Sequence, residues 1–272
     1  MISFPNGKIN IGLSVIGKRT DGYHDLESIF YPINVKDSLE IITSNLDQLE
    51  ISFTSSGLEI DGNESNNLCI KAYKLLKKDF PSLPHIKMHL HKAIPIGAGL
   101  GGGSANGTAV LKILIEKFGI SINNEMLLHY ALQLGSDCPF FINNTPSLAT
   151  GRGEILKPIN LDLSAYNIFI INPGIHINTA WAFSKLKPDS SVTNLNNIIS
   201  IPIDNWKELI RNDFEIAIFN SFPVLELIKS SLYKAGALYA SMSGSGSTLY
   251  GIFEKSNKPT FDFPATYFCK WN

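Results

Sequence analysis

Long apolar runs are missing from this sequence. No stretch reaches the roughly 18 consecutive apolar residues that a membrane-spanning helix needs, and the start, MISFPNGKINIGL, has no basic segment followed by an apolar one. The chain is therefore expected to be neither exported nor anchored, and to have no membrane partner. Cysteine is scarce as well. Cys69, Cys138 and Cys269 are the only three, lie far apart and form no C-x-x-C pair, which excludes a disulfide framework and a structural zinc site and fits a reducing cytoplasm. Nor does charge of one sign dominate. The 23 lysines and arginines balance 24 aspartates and glutamates for a net charge of -1, so no electrostatic footprint for nucleic acid exists, and any anion must be gripped locally. Internal repeats and low-complexity segments are absent too. What is present, 272 residues of which 44% are hydrophobic and 17% charged, is the balance of one large or two medium globular domains.

Residues 8–16, KINIGLSVI, read as a strand. The Asp-Gly pair in GKRTDGYH supplies a turn, and LESIFYPINVKDSLEII returns as one or two strands, giving a β-meander. Asn66 or Asn67 can cap a helix with the apolar stripe Leu68, Ala72, Leu75 and Leu76, which PSLP closes. In HIKMHLHK the residues Ile86, Met88 and Leu90 alternate with Lys87, His89 and His91, as in a half-buried strand. Helices are predicted over SANGTAVLKILIEKF, ended by Gly119, and over NNEMLLHYALQLG, capped by Asn123 or Asn124 and stopped at Gly135. PSLATGRGEILKPI reads as a hairpin and YNIFIINPG as a buried strand, with a domain boundary near residue 153. Helices around TAWAFSKL, WKELI and PVLELIKSSLYKAG then alternate with strands around ALYASMS, STLYGIFEK and TYFCKW. Segregated strands and helices indicate an α+β chain in two halves, 1–153 and 154–272.

Between a strand and a helix stands PIGAGLGGGSANG, residues 95–107, with six glycines in thirteen positions. Glycine gives up more backbone freedom on folding than any other residue, so such density needs a compensating use. Bare N–H groups at a helix N-terminus bind phosphate; close packing of strand on helix, the alternative, would need only two or three glycines. GAGLGG matches the dinucleotide pattern G-x-G-x-x-G, but a second helix follows where that fingerprint requires a strand. As a Walker loop the stretch has Gly103 where the lysine belongs.

A phosphoryl-transfer site still needs a cation and a group that orients or deprotonates the nucleophile. Lys8, with Asn10 two residues on and so on the same strand face, and Lys92, just before the loop, are the candidate cations; by composition alone each is more often a solvated lysine. Asp137 in LGSDCPFF has unusually apolar neighbours, and is either a turn aspartate bonding its own backbone or a catalytic carboxylate. The stretch SMSGSGSTL either donates hydrogen bonds to an anion or is a flexible turn. His89 and His91 make an H-x-H on one strand face, but no third ligand accompanies them, and paired surface histidines are the commoner reading.

Taken together, a lysine strand near the start, P-x-G-x-G-L-x-x-x-S-A in the middle and a late SGSGS loop resemble the GHMP kinase superfamily. KIN.GL...GKRTDGYHDLESIF at 8–30, NLCIKAYKLL at 67–76, PIGAGLGGGSAN at 95–106, LGSDCPFF at 134–141 and GRGEIL at 151–156 carry the resemblance over nearly the whole chain. It implies an α+β fold of two domains, an N-terminal one like the second domain of ribosomal protein S5 and a ferredoxin-like C-terminal one. It also implies an ATP-dependent kinase, using ATP with Mg²⁺ and no metal held by the protein, that acts on a small molecule with a cytidine diphosphate group. Asp137 would be the base or orienting carboxylate and Lys8 its partner. Pro95, Gly97, Gly99, Leu100, Gly101, Gly102, Gly103, Ser104 and Ala105 would hold the phosphates, with Asn67, Lys92 and Asn106 at the nucleotide. Tyr23 and His24 would receive the cytosine by stacking and hydrogen bonding, Asn10 would lie on the substrate side, and Phe183 with Thr179 would form the opposite face. DGYH argues against the superfamily's mevalonate, homoserine and sugar kinases, whose substrates offer no base to stack. The presence of both Lys8 and Asp137 argues against an idle nucleotide-binding module. Two departures stand out: Gly107 and Thr108 occupy positions where small alanines are usual, and the C-terminal end looks short. A monomer or weak homodimer in the cytoplasm is expected.

Overall fold

Apolar periodicity lays down most elements where the sequence places them. The computed structural model describes residues 1–44, 50–60, 63–186 and 195–272. The chain opens with β1 (Ile2–Ser3), β2 (Asn6–Lys18), β3 (His24–Lys36), β4 (Ser38–Thr43), β5 (Ile51–Gly57), α1 (Leu68–Asp79) and β6 (Ile86–Lys92). It continues with α2 (Gly102–Lys117), α3 (Asn124–Leu134), α4 (Phe140–Asn143), β7 (Ser147–Thr150) and β8 (Ile155–Pro158). It closes with β9 (Tyr166–Asn172), α5 (Thr179–Ser184), α6 (Trp206–Leu209), α7 (Phe214–Ser221), α8 (Pro223–Lys234), β10 (Tyr239–Met242), β11 (Leu249–Glu254) and β12 (Phe268–Trp271). Among the described residues no helix is long and apolar enough to cross a membrane.

The elements fall into two compact units, neither of them continuous in sequence. One is Met1–Gly7, Asn34–Ile96 and Gly101–Asn144; the other is Lys8–Ile33, Gly97–Leu100 and Thr145–Asn272. They interleave because β3 pairs with β7, with Ser28 opposite Ala149 and Phe30 opposite Ser147, which ties the early β2–β3 hairpin to the later chain. A single cut near residue 153 divides the chain differently.

The first unit is built on the sheet β1-β4-β6-β5. Along β6 burial alternates strictly, with Ile86, Met88, Leu90 and Lys92 inward and Lys87, His89 and His91 outward. Helices α1, α2 and α3 cover the inner face around Leu39, Ile41, Tyr73, Leu76, Val110, Leu114 and Tyr130. Asn67 starts α1 by accepting the Cys69 N–H at 2.9 Å, a cap contributing about 1 kcal/mol. The buried stripe of α1 is Cys69, Ile70, Ala72, Tyr73 and Leu76; Leu68 and Leu75, expected on it, are half-buried, because the large Tyr73 ring takes the centre of the face. The β-meander expectation ends at Asp37. There the chain leaves the β3 sheet, and β4 pairs with β1 and β6 instead. Periodicity shows which face of a strand is buried, not which sheet it joins.

In the second unit the sheets run β2-β3-β7-β8 and β10-β11-β9-β12. Strand β9 is central and buried almost throughout, as its unbroken apolar run requires. The C-terminal end, open on sequence grounds, is completed by β12 along β9, from Phe268 opposite Asn172 to Trp271 opposite Phe169. Phe169 gathers Phe261 at 4.4 Å and Trp271 at 4.9 Å between ring centroids. Helix α7 was not legible in NDFEIAIFN. It buries Glu215, which accepts from Lys229 Nζ (2.6 Å), Ser241 Oγ (3.1 Å) and the Met242 N–H (2.8 Å).

Candidate active site

The glycine-rich segment runs into α2, a helix of 16 residues in the first unit whose N-cap, Gly101, sits at φ +67° and has no side chain with which to satisfy the first-turn N–H groups. Gly103 is exposed and Gly101 and Ser104 half-exposed. Uncapped amides at the positive end of a helix form a ready anion site. The two departures on this helix have local causes. A Cβ on Gly107 would lie 2.9 Å from Leu68 Cβ, so glycine admits α1, and Thr108 Oγ1 donates to the Cys138 carbonyl at 3.0 Å.

That Thr108 bond helps to fix the turn that carries Asp137. The turn joins α3 to α4, and Asp137 is half-buried at its crest while Cys138, Phe140 and Phe141 are buried below. The Cys138 N–H donates to Gly135 O and the Phe141 N–H to Cys138 O, each at 3.1 Å. Burial pushes the Cys138 thiol up to about 11, with the Ser104 hydroxyl acting against that shift, so the thiol is a packing group and not a nucleophile.

Lys92 is 4% exposed and ion-paired with Asp37, itself fully buried. Composition suggested a solvated lysine; the strand alternation that buries Ile86, Met88 and Leu90 carries Lys92 inward with them. Burial draws its ammonium below the ordinary lysine value, opposed by the Asp37 carboxylate. Asn106 is 2% exposed and its amide also donates to Asp37, at 2.9 Å. Asn67, half-exposed, keeps its Nδ2 clear of the cap bond made by Oδ1. On the outer face of β6, His89 bonds Thr54 (2.8 Å) and Ser56 (2.9 Å), and His91 bonds Ser56 (3.0 Å). No cluster of three potential ligands occurs among the described residues.

In the second unit Lys8 is 3% exposed, again not solvated. Its Nζ donates to Asn10 Oδ1 at 2.5 Å and lies 4.4 Å from the Phe30 ring centroid. Asn10, also buried, passes the chain on from Nδ2 to Ser28 Oγ (2.8 Å), and Ser28 donates to Gly12 O (2.6 Å). The Lys8 N–H bonds Leu100 O at 2.9 Å, which anchors the middle of the glycine segment. Gly99 is packed harder still: Ser243 Oγ donates to its carbonyl (2.8 Å), and at φ +76° a Cβ would fall 2.0 Å from Ser243 O. No other residue fits there.

The SGSGS stretch is thus not a flexible turn, though Gly244 and Ser245 at its middle stay half-exposed. Ser241, Ser243, Ser247 and Thr248 are fully buried, and their hydroxyls are engaged within the unit. Asn212, a residue without sequence signal, holds the stretch from outside through bonds of 2.8 Å to Met242 O and Gly244 O.

Tyr23 is 55% exposed, with the Arg152 guanidinium over one ring face, 4.8 Å from the ring centroid. Its N–H donates to Asp21 Oδ1 at 3.1 Å, and Asp21 is held in turn by Arg19 at 3.0 Å. His24 lies flat on Phe183, with centroids 4.6 Å apart and planes 14° apart, so these two rings are brought together. Phe183 is backed edge-on by Phe214 at 4.9 Å. Thr179 Oγ1 pairs with Ser245 Oγ at 3.2 Å.

Comparison with known proteins bears on the family and the fold. Residues 67–144 match the model of the GHMP kinases N terminal domain, and residues 196–260 that of the GHMP kinases C terminal. The chain is 47% identical over 270 residues to 4-diphosphocytidyl-2-C-methyl-D-erythritol kinase of Bacteroides thetaiotaomicron, covering 99% of this chain and 98% of that one. It is 49% identical over 266 residues to the kinase of the same name from Azobacteroides pseudotrichonymphae, covering 97% and 98%. A crystal structure of 4-(cytidine 5'-diphospho)-2C-methyl-D-erythritol kinase superposes with a TM-score of 0.80 at 28% identity, over 93% of this chain and 90% of the other. Homoserine kinase from Cytophaga hutchinsonii, at 16% identity and a TM-score of 0.65 over 93% and 87%, shares the fold.

Proposed function

Starting from the chain's place in the family, for it belongs to the 4-diphosphocytidyl-2-C-methyl-D-erythritol kinases of the GHMP group, we propose that it transfers the γ-phosphoryl group of ATP to the 2-hydroxyl of 4-diphosphocytidyl-2-C-methyl-D-erythritol. The reaction belongs to the non-mevalonate route to isoprenoid precursors, and the enzyme works in the cytoplasm. The observation that carries phosphoryl transfer is the uncapped start of α2 directly behind the glycine-rich segment, a donor array that suits phosphate oxygens. Near-full-length similarity to kinases named for this substrate supports its identity. The two matched family domains fall one in each of the stretches 1–153 and 154–272.

ATP phosphates take the amides of Gly101, Gly102 and Gly103 and the Ser104 hydroxyl, with Pro95, Gly97, Gly99, Leu100 and Ala105 shaping the segment and Asn67 at the nucleoside. Mg²⁺ comes with ATP and neutralises charge on its phosphates. Asp137 orients the acceptor hydroxyl and takes its proton; Lys8, held by Asn10, is the cation of the transfer. Tyr23 stacks on the cytosine with the ring face that Arg152 leaves open, and His24, seated on Phe183, bonds the base edge.

Phosphorus NMR tests the assignment. With ATP and the cytidine substrate the purified protein is expected to give one new phosphomonoester, on the 2-hydroxyl. Equal turnover of an acceptor without cytidine would transfer the chain's activity to another GHMP substrate. Tyr23→Ala is expected to raise the acceptor KM by about tenfold, since stacking on an aromatic ring contributes about 1–3 kcal/mol per base, with kcat and the ATP KM within about twofold. A selective loss of ATP affinity in steady-state kinetics would assign the ring to the other ligand.

A further inference from the structure

Asp37 is fully buried where β3 gives way to β4, and it has no part in the chemistry above. Its carboxylate receives four donors. The N–H groups of Ala93 and Ile94 bond Oδ1 at 2.7 and 2.8 Å. The Lys92 ammonium and the Asn106 amide bond Oδ2, the latter at 2.9 Å. A buried carboxylate must be well satisfied to be tolerated, but the origin of these donors is informative. Ala93 and Ile94 immediately precede the segment 95–105, and Asn106 immediately follows it. One rigid anion therefore pins both ends of the glycine-rich segment.

A second observation bears on the same place. A Cβ on Gly102 would lie 2.8 Å from Lys92 Nζ and 2.9 Å from Ile94 Cγ2. The first turn of α2 is thus seated directly on the Lys92–Asp37 cluster, and only glycine leaves room for it.

We propose that Asp37 is the positioning residue of the nucleotide-binding segment. Its carboxylate sets the separation and pitch of the segment's two ends through Ala93, Ile94 and Asn106, so that the amides at the start of α2 are already aimed when the phosphates arrive. Lys92 supplies the buried counter-charge that faces the carboxylate. On this assignment Lys92 and Asn106 serve the nucleotide through Asp37 and not by touching it. The inference rests on the reading of 95–105 as the ATP phosphate segment, and the test separates the two.

The readout is equilibrium binding of a non-hydrolysable ATP analogue to the full chain by titration calorimetry, with no acceptor present. Failure of the unaltered chain to bind would overturn the phosphate-segment reading before any substitution is made, and this inference with it. With binding established, Asp37→Asn is expected to weaken it by about tenfold or more, the worth of a hydrogen bond to a charged group. Asn106→Ala is expected to weaken it in the same direction, and the double variant by no more than Asp37→Asn alone, since both changes cut one link. Additive losses would mean that Asn106 meets the nucleotide independently, and would overturn the proposal. Asp37→Asn also strands a buried ammonium, which by itself can unfold a domain. The neutral variant Asp37→Asn with Lys92→Met removes both charges and is expected to melt cooperatively while binding the analogue about tenfold more weakly. Unaltered analogue affinity in that folded variant would overturn the proposal.

Discussion

Asp137→Asn is expected to lower kcat by about two to four orders of magnitude, the range that a positioned general base contributes, while an ATP analogue binds as before. Asparagine has the shape of aspartate but cannot accept the hydroxyl proton, so the substitution removes the chemistry and leaves the turn. The turn itself is over-determined. Bonds of 3.1 Å from the Cys138 N–H to Gly135 O and from the Phe141 N–H to Cys138 O fix its backbone, and the Thr108 hydroxyl of α2 adds a third at 3.0 Å. Buried Cys138, Phe140 and Phe141 anchor it from below. The side chain is therefore presented by a frame of backbone and Thr108 bonds over buried side chains, and an unchanged melting temperature would show that a fall in kcat is not a folding defect. Saturating kinetics in both substrates, paired with calorimetric binding of the analogue, check this. An unchanged kcat would show that the proton leaves after a loose transition state in which the hydroxyl needs no base.

Most strands and the larger helices were legible because their apolar spacing is strong, and β6 shows both the power of that signal and the way it can be overruled. Its alternation carried Lys92 to the inner face along with Ile86, Met88 and Leu90. The general rule that lysines are solvated pointed the other way, and for this lysine the strand parity was the better guide. Lys8 has the same history on β2, where eight consecutive residues from Gly7 to Ser14 are buried; a strand covered on both faces buries a lysine wherever it stands. Asp37 was illegible for a different reason. In sequence it is an acid between two strands, indistinguishable from a solvated turn residue, and its four donors come from positions 92–94 and 106. A network closed over 55 to 69 residues leaves no local trace. Asn212 and Glu215 escaped notice likewise, since their partners lie around residues 241–244. The glycine-rich segment was the opposite case: six glycines in thirteen positions are costly enough to demand a use, and their density points to an anion site without any long-range information.

Lys8→Met is expected to lower kcat by about 10²–10³-fold, as loss of one preorganised charge-stabilising donor does. Methionine keeps the unbranched stem and deletes the charge at a position only 3% exposed. The ammonium is held from two sides, by Asn10 Oδ1 at 2.5 Å and by the Phe30 ring at 4.4 Å. Lys8→Arg is expected not to restore the rate, because a planar fork cannot take the place of a compact ammonium in a buried slot bounded by a ring. Stability is expected to change little, since loss of a buried charge offsets the orphaning of Asn10 Oδ1. A variant that melts early while kcat stays within about threefold would make Lys8 a structural residue only. The double variant Lys8→Met with Asp137→Asn gives the sharper test. On the proposed reading both groups act on the developing charge and lose their effect together, so the double variant should be no slower than about the worse of the two single ones. Multiplying losses would mean that the cation and the carboxylate serve different steps.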